Sequence, residues 1–468
     1  MKLFRSVITC VLLAMPSALA AQQAADLPDR IDGVFERWNS AASAGCAVGV
    51  SRDGRKVVSR AYGMADLEHD IRNTPSTIFE AGSVSKQFTA AAVMLLVQDG
   101  LIGLNDDVRR HVPELPDYGD TIRIRHLLNH TSGLRDWGSV AAIAGAGREA
   151  RTHTHDHVLD ILGRQRALNF APGSEYSYSN SGYNLLAIIV ARVSGMPFAE
   201  FSRTRIFEPL GLRDTQWRDD YRRIVKHRAS AYAMRGGRWV IDRPIEDVHG
   251  NGGLLTTAAD LLSWNDALAG GALGGNELVA RMHTRGVLNS GRRIDYAAGL
   301  FITSLDDVPE VSHTGSTAGY RAFLARYPEQ RVGVAVLCNA GNANPGQVGR
   351  AVARLVLGTR PAVAAPAPQS RARPTAALRE LTAGEMQALT GEYYSPDAET
   401  TLRVSVEEDR LVIRRRPADR LQLVPLDDDL FVAQSLGRVR FIRDEGGRVI
   451  ALSVQQARVY DMRFERVQ

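Results

Sequence analysis

Ser83 and Lys86 stand three residues apart in the segment Ser83-Val84-Ser85-Lys86. On a helix, that spacing puts both side chains on one face. A serine in a first helical turn lies beside backbone N–H groups without helical acceptors and beside the positive end of the dipole. Such a position suits a nucleophile whose attack on a carbonyl creates an oxyanion. A lysine taken out of water there has a lowered pKa and can accept the serine proton, which an arginine cannot. The plainer alternative is a serine cap beside a solvated lysine. Of 57 lysines and arginines only Lys2, Lys56, Lys86 and Lys226 are lysine, which leaves 53 arginines. Base composition of the genome is the ordinary cause of such a bias, so a retained lysine is worth inspecting. Ala90 to Val97 are apolar all round, which predicts a buried helix over 84–99 with Gly100 as its stop and disfavours the solvated lysine.

Two further groups could act with this pair. Tyr178-Ser179-Asn180 follows Pro172-Gly173 in a loop. The tyrosine can relay a proton and the asparagine can orient an amide; a turn around a packed aromatic is the alternative. His313-Thr314-Gly315 begins a strand-like run, where the glycine permits close approach of a ligand backbone. Each group is a weak signal by itself.

The elements that must position these residues are readable in outline. Cys46 to Ser51 and Lys56 to Tyr62 read as a hairpin around Asp53-Gly54. Helix-like segments follow near 184–194 and 257–269. Val311 to Asn339 reads as consecutive strands, including Phe323 to Tyr327 and Val332 to Leu337 around the turn Pro328-Glu329-Gln330. Strands at both ends with helices between them predict one sheet closed by its first and last elements.

Taken together and in order, Ser83-x-x-Lys86, Tyr178-x-Asn180 and His313-Thr314-Gly315 resemble the three motifs of penicillin-recognising serine hydrolases. The class C β-lactamase-like group is the nearest in pattern, with its D-Ala-D-Ala carboxypeptidase, D-aminopeptidase and esterase relatives. Flanking text agrees: Phe79-Glu80-Ala81-Gly82, Arg125-His126-Leu127-Leu128-Asn129-His130-Thr131-Ser132-Gly133-Leu134, Pro209-Leu210-Gly211-Leu212 and Gly252-Gly253-Leu254. The resemblance spans about residues 30–358. It implies an α/β fold, an antiparallel sheet flanked by helices. Ser83 would be the nucleophile, with Lys86 and Tyr178 sharing the proton work. Asn180, His313, Thr314, Gly315 and Ser316 would bind substrate, the backbone N–H groups of Ser83 and Ser316 forming the oxyanion hole. Lysine often stands where His313 stands, and a histidine is mostly neutral near neutrality. Weak β-lactam hydrolysis is therefore expected. The same resemblance makes Cys46 and Cys338 neighbours on the first and last strands, able to form a disulfide.

The implied activity is cleavage of amide bonds in D-amino-acid peptides through a serine acyl-enzyme. A β-lactamase or carboxylesterase is the alternative within that chemistry, and a non-catalytic peptidoglycan- or penicillin-binding protein is the alternative of another class. No cofactor is expected. Substrates would be small peptides, amides or esters.

The remainder sets the context. The 468 residues are 44% apolar and 23% charged with net charge +5, ordinary for a globular protein. Lys2 and Arg5, the apolar stretch Val7 to Met15, and Ala18-Leu19-Ala20 read as an export signal over 1–20, giving a periplasmic or secreted protein without a stable membrane anchor. The expected catalytic domain is 27–360. Pro361, Pro366, Pro368 and Pro374 mark a linker over 361–377. Residues 391–466 hold about eight short alternating runs, which predicts a small antiparallel barrel or sandwich; this last region, 378–468, resembles the lipocalin-like β-barrel appended to some members of the same family. Arg414-Arg415-Arg416 reads as a solvated face, and no aromatic-rich basic run supports nucleic-acid binding. His153, His155 and His157 resemble a metal cluster, but their register fits a solvated helix start capped by Thr154 or Asp156 better. No Gly-x-Ser-x-Gly elbow is present.

Overall fold

A run of alternating small and branched apolar residues, Cys46–Arg52, forms the central strand β1, and Arg55–Tyr62 returns beside it as β2. The computed structural model describes residues 26–148, 150–360 and 381–467. The expected export signal and linker, 1–20 and 361–377, lie outside the described residues.

Four strands late in the first region complete the sheet: β3 (Phe301–Leu305), β4 (Val308–Thr317), β5 (Tyr320–Tyr327) and β6 (Val332–Cys338). The antiparallel order is β3-β4-β5-β6-β1-β2, so the first strand pairs with the last, as expected. In that register Cys46 stands opposite Cys338, and the two form a disulfide. The side-chain period of two divides the sheet between two cores. Val48, Val50, Val334 and Val336 face Leu27–Phe35 (α1) and Pro345–Leu357. Ala47, Ala335 and Leu337 face the core of Lys86–Gln98 (α2), Asn180–Ser194 (α3) and Ala258–Ala269 (α4). A side-chain carbon on Gly49 would meet Leu262 at 2.8 Å, so glycine there lets α4 lie close on β1. Buried Phe88 of α2 stacks on Trp264 of α4 at 4.1 Å.

The second region forms nine antiparallel strands, β7 (Gly391–Ser395), β8 (Thr400–Glu407), β9 (Arg410–Arg414), β10 (Leu421–Gln422), β11 (Val424–Asp427), β12 (Leu430–Ala433), β13 (Gly437–Arg443), β14 (Val449–Gln456) and β15 (Val459–Arg466). Their order, β10-β9-β8-β7-β15-β14-β13-β12-β11, brings the two edges to either side of Leu423, a nearly closed barrel-like sheet. The extra strand arises because 421–422 and 424–427 are separate short pieces. Tyr393, Phe431, Phe441 and Phe464 fill the interior.

Two sequence expectations need correction. Arg414-Arg415-Arg416 is not simply a solvated face: Arg414 pairs with Glu407, and Arg415 reaches across to the carbonyl of Ala142 at 2.6 Å. The helix His155–Gly163 does begin with a Thr154 cap, but the histidines around its start are not all solvated. His153 is buried beside the Ala146 carbonyl, and His155 contacts the His249 carbonyl at 3.0 Å. Among the described residues no group of His, Cys, Asp and Glu is arranged to hold a metal ion, and no single helix is long and apolar enough to cross a membrane.

Candidate active site

Ser83 lies in a turn ahead of the α-helix and not in its first turn. Gly82–Ser85 forms a single 3₁₀ turn, and the α-helix begins at Lys86. The turn is pinned from both sides. Ser85 Oγ donates to the Gly82 carbonyl and accepts from Leu254 N. The preceding Ala81 N donates to the Leu254 carbonyl. Gly82 has φ +49°, and a side-chain carbon there would lie 2.6 Å from Ser316 N. One on Gly315 would lie 2.0 Å from Ala81 O and 3.1 Å from Ser83 N. Both glycines are therefore required for β4 to pass against the serine turn, which brings the backbone amides of Ser83 and Ser316 together.

Lys86 is fully buried. Its Nζ is 3.2 Å from Ser83 Oγ, 3.0 Å from Asn180 Oδ1 and 2.6 Å from Asn251 O. Burial lowers its pKa well below the ordinary lysine value, and the charge of Arg458 pushes it further the same way, against Asp136. A neutral amine has two hydrogens and one lone pair. Two of the three neighbours, Asn180 Oδ1 and Asn251 O, can only accept. The lone pair is thereby left for the Ser83 hydroxyl, the arrangement a general base needs.

Tyr178 closes the other side. Its ring lies 4.8 Å from Lys86 Nζ, and burial raises its pKa, so its hydroxyl keeps its proton. The neighbouring Ser83 hydroxyl offsets part of that rise. Asn180 opens α3, and its N–H donates to Asp136 Oδ2 at 2.8 Å. His313 is buried, and both ring nitrogens are occupied: Nδ1 donates to Thr314 O at 2.6 Å, which leaves Nε2 to accept from Tyr296 OH at 3.1 Å. Burial first, and the neighbouring Lys86 second, push its pKa down to about 3. Thr314 and Ser316 are exposed toward the cavity and Gly315 forms its floor.

All eight residues singled out in the sequence come together here: seven line a cavity of about 1010 Å³, and Lys86 lies buried behind Ser83. Others carried no motif. Asn251 contributes only a carbonyl, beside the quoted Gly252-Gly253. His130, within the quoted segment 125–134, packs on Tyr178 at 4.2 Å and accepts from Ser179 N. Arg458 enters from the hairpin between β14 and β15, its guanidinium 5.0 Å from the Tyr178 ring. Under the serine turn a buried ion network was also missed: Glu80 receives Arg218 Nε at 2.9 Å, and Arg218 also approaches Glu246 at 3.5 Å.

The beta-lactamase family model matches residues 31–359. Penicillin-binding protein 4* of Bacillus subtilis (strain 168) is 27% identical over 401 residues, 80% of this chain and 84% of that protein. The octameric penicillin-binding protein homologue from Pyrococcus abyssi superposes with a TM-score of 0.63 at 23% identity, over 95% of this chain and 99% of that one. A D-amino acid amidase from Ochrobactrum anthropi SV3, complexed with L-phenylalanine amide, superposes with a TM-score of 0.60 at 22% identity, over 71% and 99%. The family match covers most of the chain and contains every residue of the serine–lysine–tyrosine constellation, and the chain belongs to the beta-lactamase family of serine hydrolases.

Proposed function

We propose that the protein is an exported hydrolase of amide bonds in D-amino-acid peptides. The observation that carries the mechanism is Lys86, buried and bonded so that its free electron pair meets Ser83 Oγ. Ser83 attacks the amide carbonyl while Lys86 takes its proton. The oxyanion forms between the amides of Ser83 and Ser316, each such donor being worth about 10²–10³ in rate. As the C–N bond breaks, the proton passes through the Tyr178 hydroxyl to the leaving nitrogen. Water then enters by the same base and releases the acid from Ser83. Asn180, Thr314 and Gly315 hold the peptide backbone.

Two observations support the substrate class. A D-amino acid amidase shares the fold. His313 is neutral with both nitrogens engaged, so β4 offers no cation to the carboxylate of a β-lactam. In this reading residues 1–20 direct export to the periplasm or medium, 27–360 catalyse, 361–377 link, and 378–468 are a lipocalin-like accessory barrel.

The test is a panel of D-alanyl-p-nitroanilide, a D-Ala-D-Ala peptide, p-nitrophenyl butyrate and nitrocefin, with fluorophosphonate labelling of wild type and Ser83→Ala. D-alanyl amides should be turned over best, and labelling should vanish in the variant. A kcat/KM for nitrocefin far above those for D-alanyl amides would reject the substrate class. No adduct on wild type would reject the mechanism in favour of a binding protein.

A further inference from the structure

The cavity that holds Ser83 is lined with more guanidinium groups than charge balance at the reacting bond requires. Most are spent. Arg148 is paired with buried Glu246, Arg350 with buried Glu310, and Arg354 with Asp306. Arg321 is tied to the carbonyls of Ala318 and Tyr320. Arg458 differs from these. Among the described residues its guanidinium donates no hydrogen bond, and its nearest carboxylate, Asp136 Oδ2, stands at 3.8 Å. That carboxylate is already committed: Oδ2 accepts from Asn180 N, and Oδ1 accepts from Ser139 N.

The backbone around Arg458 is fixed, which makes the position a built one. Its carbonyl accepts from Asn169 Nδ2 at 3.0 Å and Asp136 N at 3.3 Å, and Tyr460 N donates to Asn169 Oδ1 at 3.0 Å. The hairpin tip of the barrel is therefore clamped onto the catalytic region. The Arg458 side chain is 40% exposed, and its guanidinium stands over the Tyr178 ring at the cavity wall with uncommitted donors.

We infer that Arg458 is a specificity-determining residue that binds the terminal carboxylate of the residue leaving Ser83, so that peptides with a free C-terminus directly after the scissile bond are preferred. The inference rests on the hydrolase reading above and refines it. Tyr178 hands its proton to the leaving nitrogen, so a cation over Tyr178 lies on the leaving side. A guanidinium fork matches a carboxylate with two parallel donors. A linear residue can rotate its carboxylate toward that wall, whereas a fused β-lactam holds its own at an angle set by the ring.

The experiment compares an N-acyl-D-alanyl-D-alanine with its C-terminal amide, in wild type, Arg458→Gln and Arg458→Lys. A charge-assisted pair of this kind corresponds to about 10- to 100-fold in kcat/KM. Wild type should prefer the free acid by that factor. Arg458→Gln should erase the preference mainly through KM, and Arg458→Lys should restore part of it. Removing Arg458 also removes a charge that lowers the pKa of Lys86, but that effect acts on both peptides and cancels in their ratio. An equal loss for acid and amide, or no preference in wild type, overturns the inference. If p-nitrophenyl butyrate turnover and Ser83 labelling persist in either case, the hydrolase reading stands without it. If wild type cleaves neither peptide and Ser83 takes no label, both fall.

Discussion

Lys86 carries the chemistry because its surroundings choose its protonation state. Burial disfavours the ammonium, Arg458 repels it, and the acceptors Asn180 Oδ1 and Asn251 O occupy the two hydrogens of the neutral amine. Arginine keeps a charge that cannot be surrendered. Lys86→Arg should therefore lower kcat/KM by about 10³-fold, within the range of general base catalysis; near-normal turnover would refute the assignment. The same reasoning fixes a pH profile. The free enzyme is active when Lys86 is neutral, so kcat/KM should fall as pH drops through its lowered pKa. His313, pushed down to about 3, is already neutral there and contributes nothing to that limb. His313→Gln should thus keep the acid limb in place whatever it does to the maximum rate. Movement of the limb in that variant would transfer the titration to the histidine.

At the scale of elements, the serine turn is held by charges that the sequence does not distinguish from surface charges. Phe79 and Glu80 pair with Leu255 and Thr256, and Gln216 and Trp217 pair with Leu254 and Leu255, so three short strands meet directly beneath Ser83. Glu80 is buried against buried Arg218, with Arg228 at 3.5 Å. Burial alone would raise the pKa of Glu80; the charge and hydrogen bonds of Arg218 reverse this and hold it below the usual carboxylate range. A depressed carboxylate adds stability at pH above its unfolded pKa, and that stability is lost as pH falls through the folded value. Glu80→Gln leaves Arg218 buried with its main partner gone. A loss of about 3–5 kcal/mol is expected in urea denaturation, with weaker acid dependence than wild type. A change below about 1 kcal/mol would show that Glu246 already balances Arg218.

The contrast explains which features were legible. The spacing of Ser83 and Lys86, the hairpin at 46–63 and the three late strands are local patterns, and local patterns survive in a single sequence. The disulfide followed only once the sheet order was supplied by resemblance. Glu80, Arg218, His153 and His155 were unreadable because burial of a polar group depends on partners far along the chain. Arg458 is the extreme case. It sits in a barrel hairpin with no motif, 280 positions from Tyr178, and only the docking of the two regions puts it in the cavity.

That docking is the feature of the whole molecule most exposed to test. Asp397, at the end of the first barrel hairpin, is buried between Arg135 Nη1 and Arg166 Nε, each at 2.7 Å. Its carbonyl also accepts from Gln165 Nε2 at 2.9 Å. Arg135 is the neighbour of Asp136, whose side chain holds the N–H of Asn180 and whose own N–H reaches the Arg458 carbonyl. The barrel is thus coupled to the site through adjacent residues and not through the linker. Asp397→Ala strips a buried arginine of its carboxylate, which costs about 3–5 kcal/mol. The exposed pair of Asp429 and Arg443 on the far barrel surface makes hydrogen bonds of similar length, yet Asp429→Ala should cost under about 1 kcal/mol because water screens it. In matched melts the first variant should unfold several degrees lower than the second. It should also lose any preference for a free peptide carboxylate, since Arg458 is held only while the hairpin stays clamped. Equal melting temperatures would mean that the interface is held by its apolar and backbone contacts. A retained preference despite a lowered melting temperature would mean that Asn169 and Asp136 suffice to hold the tip.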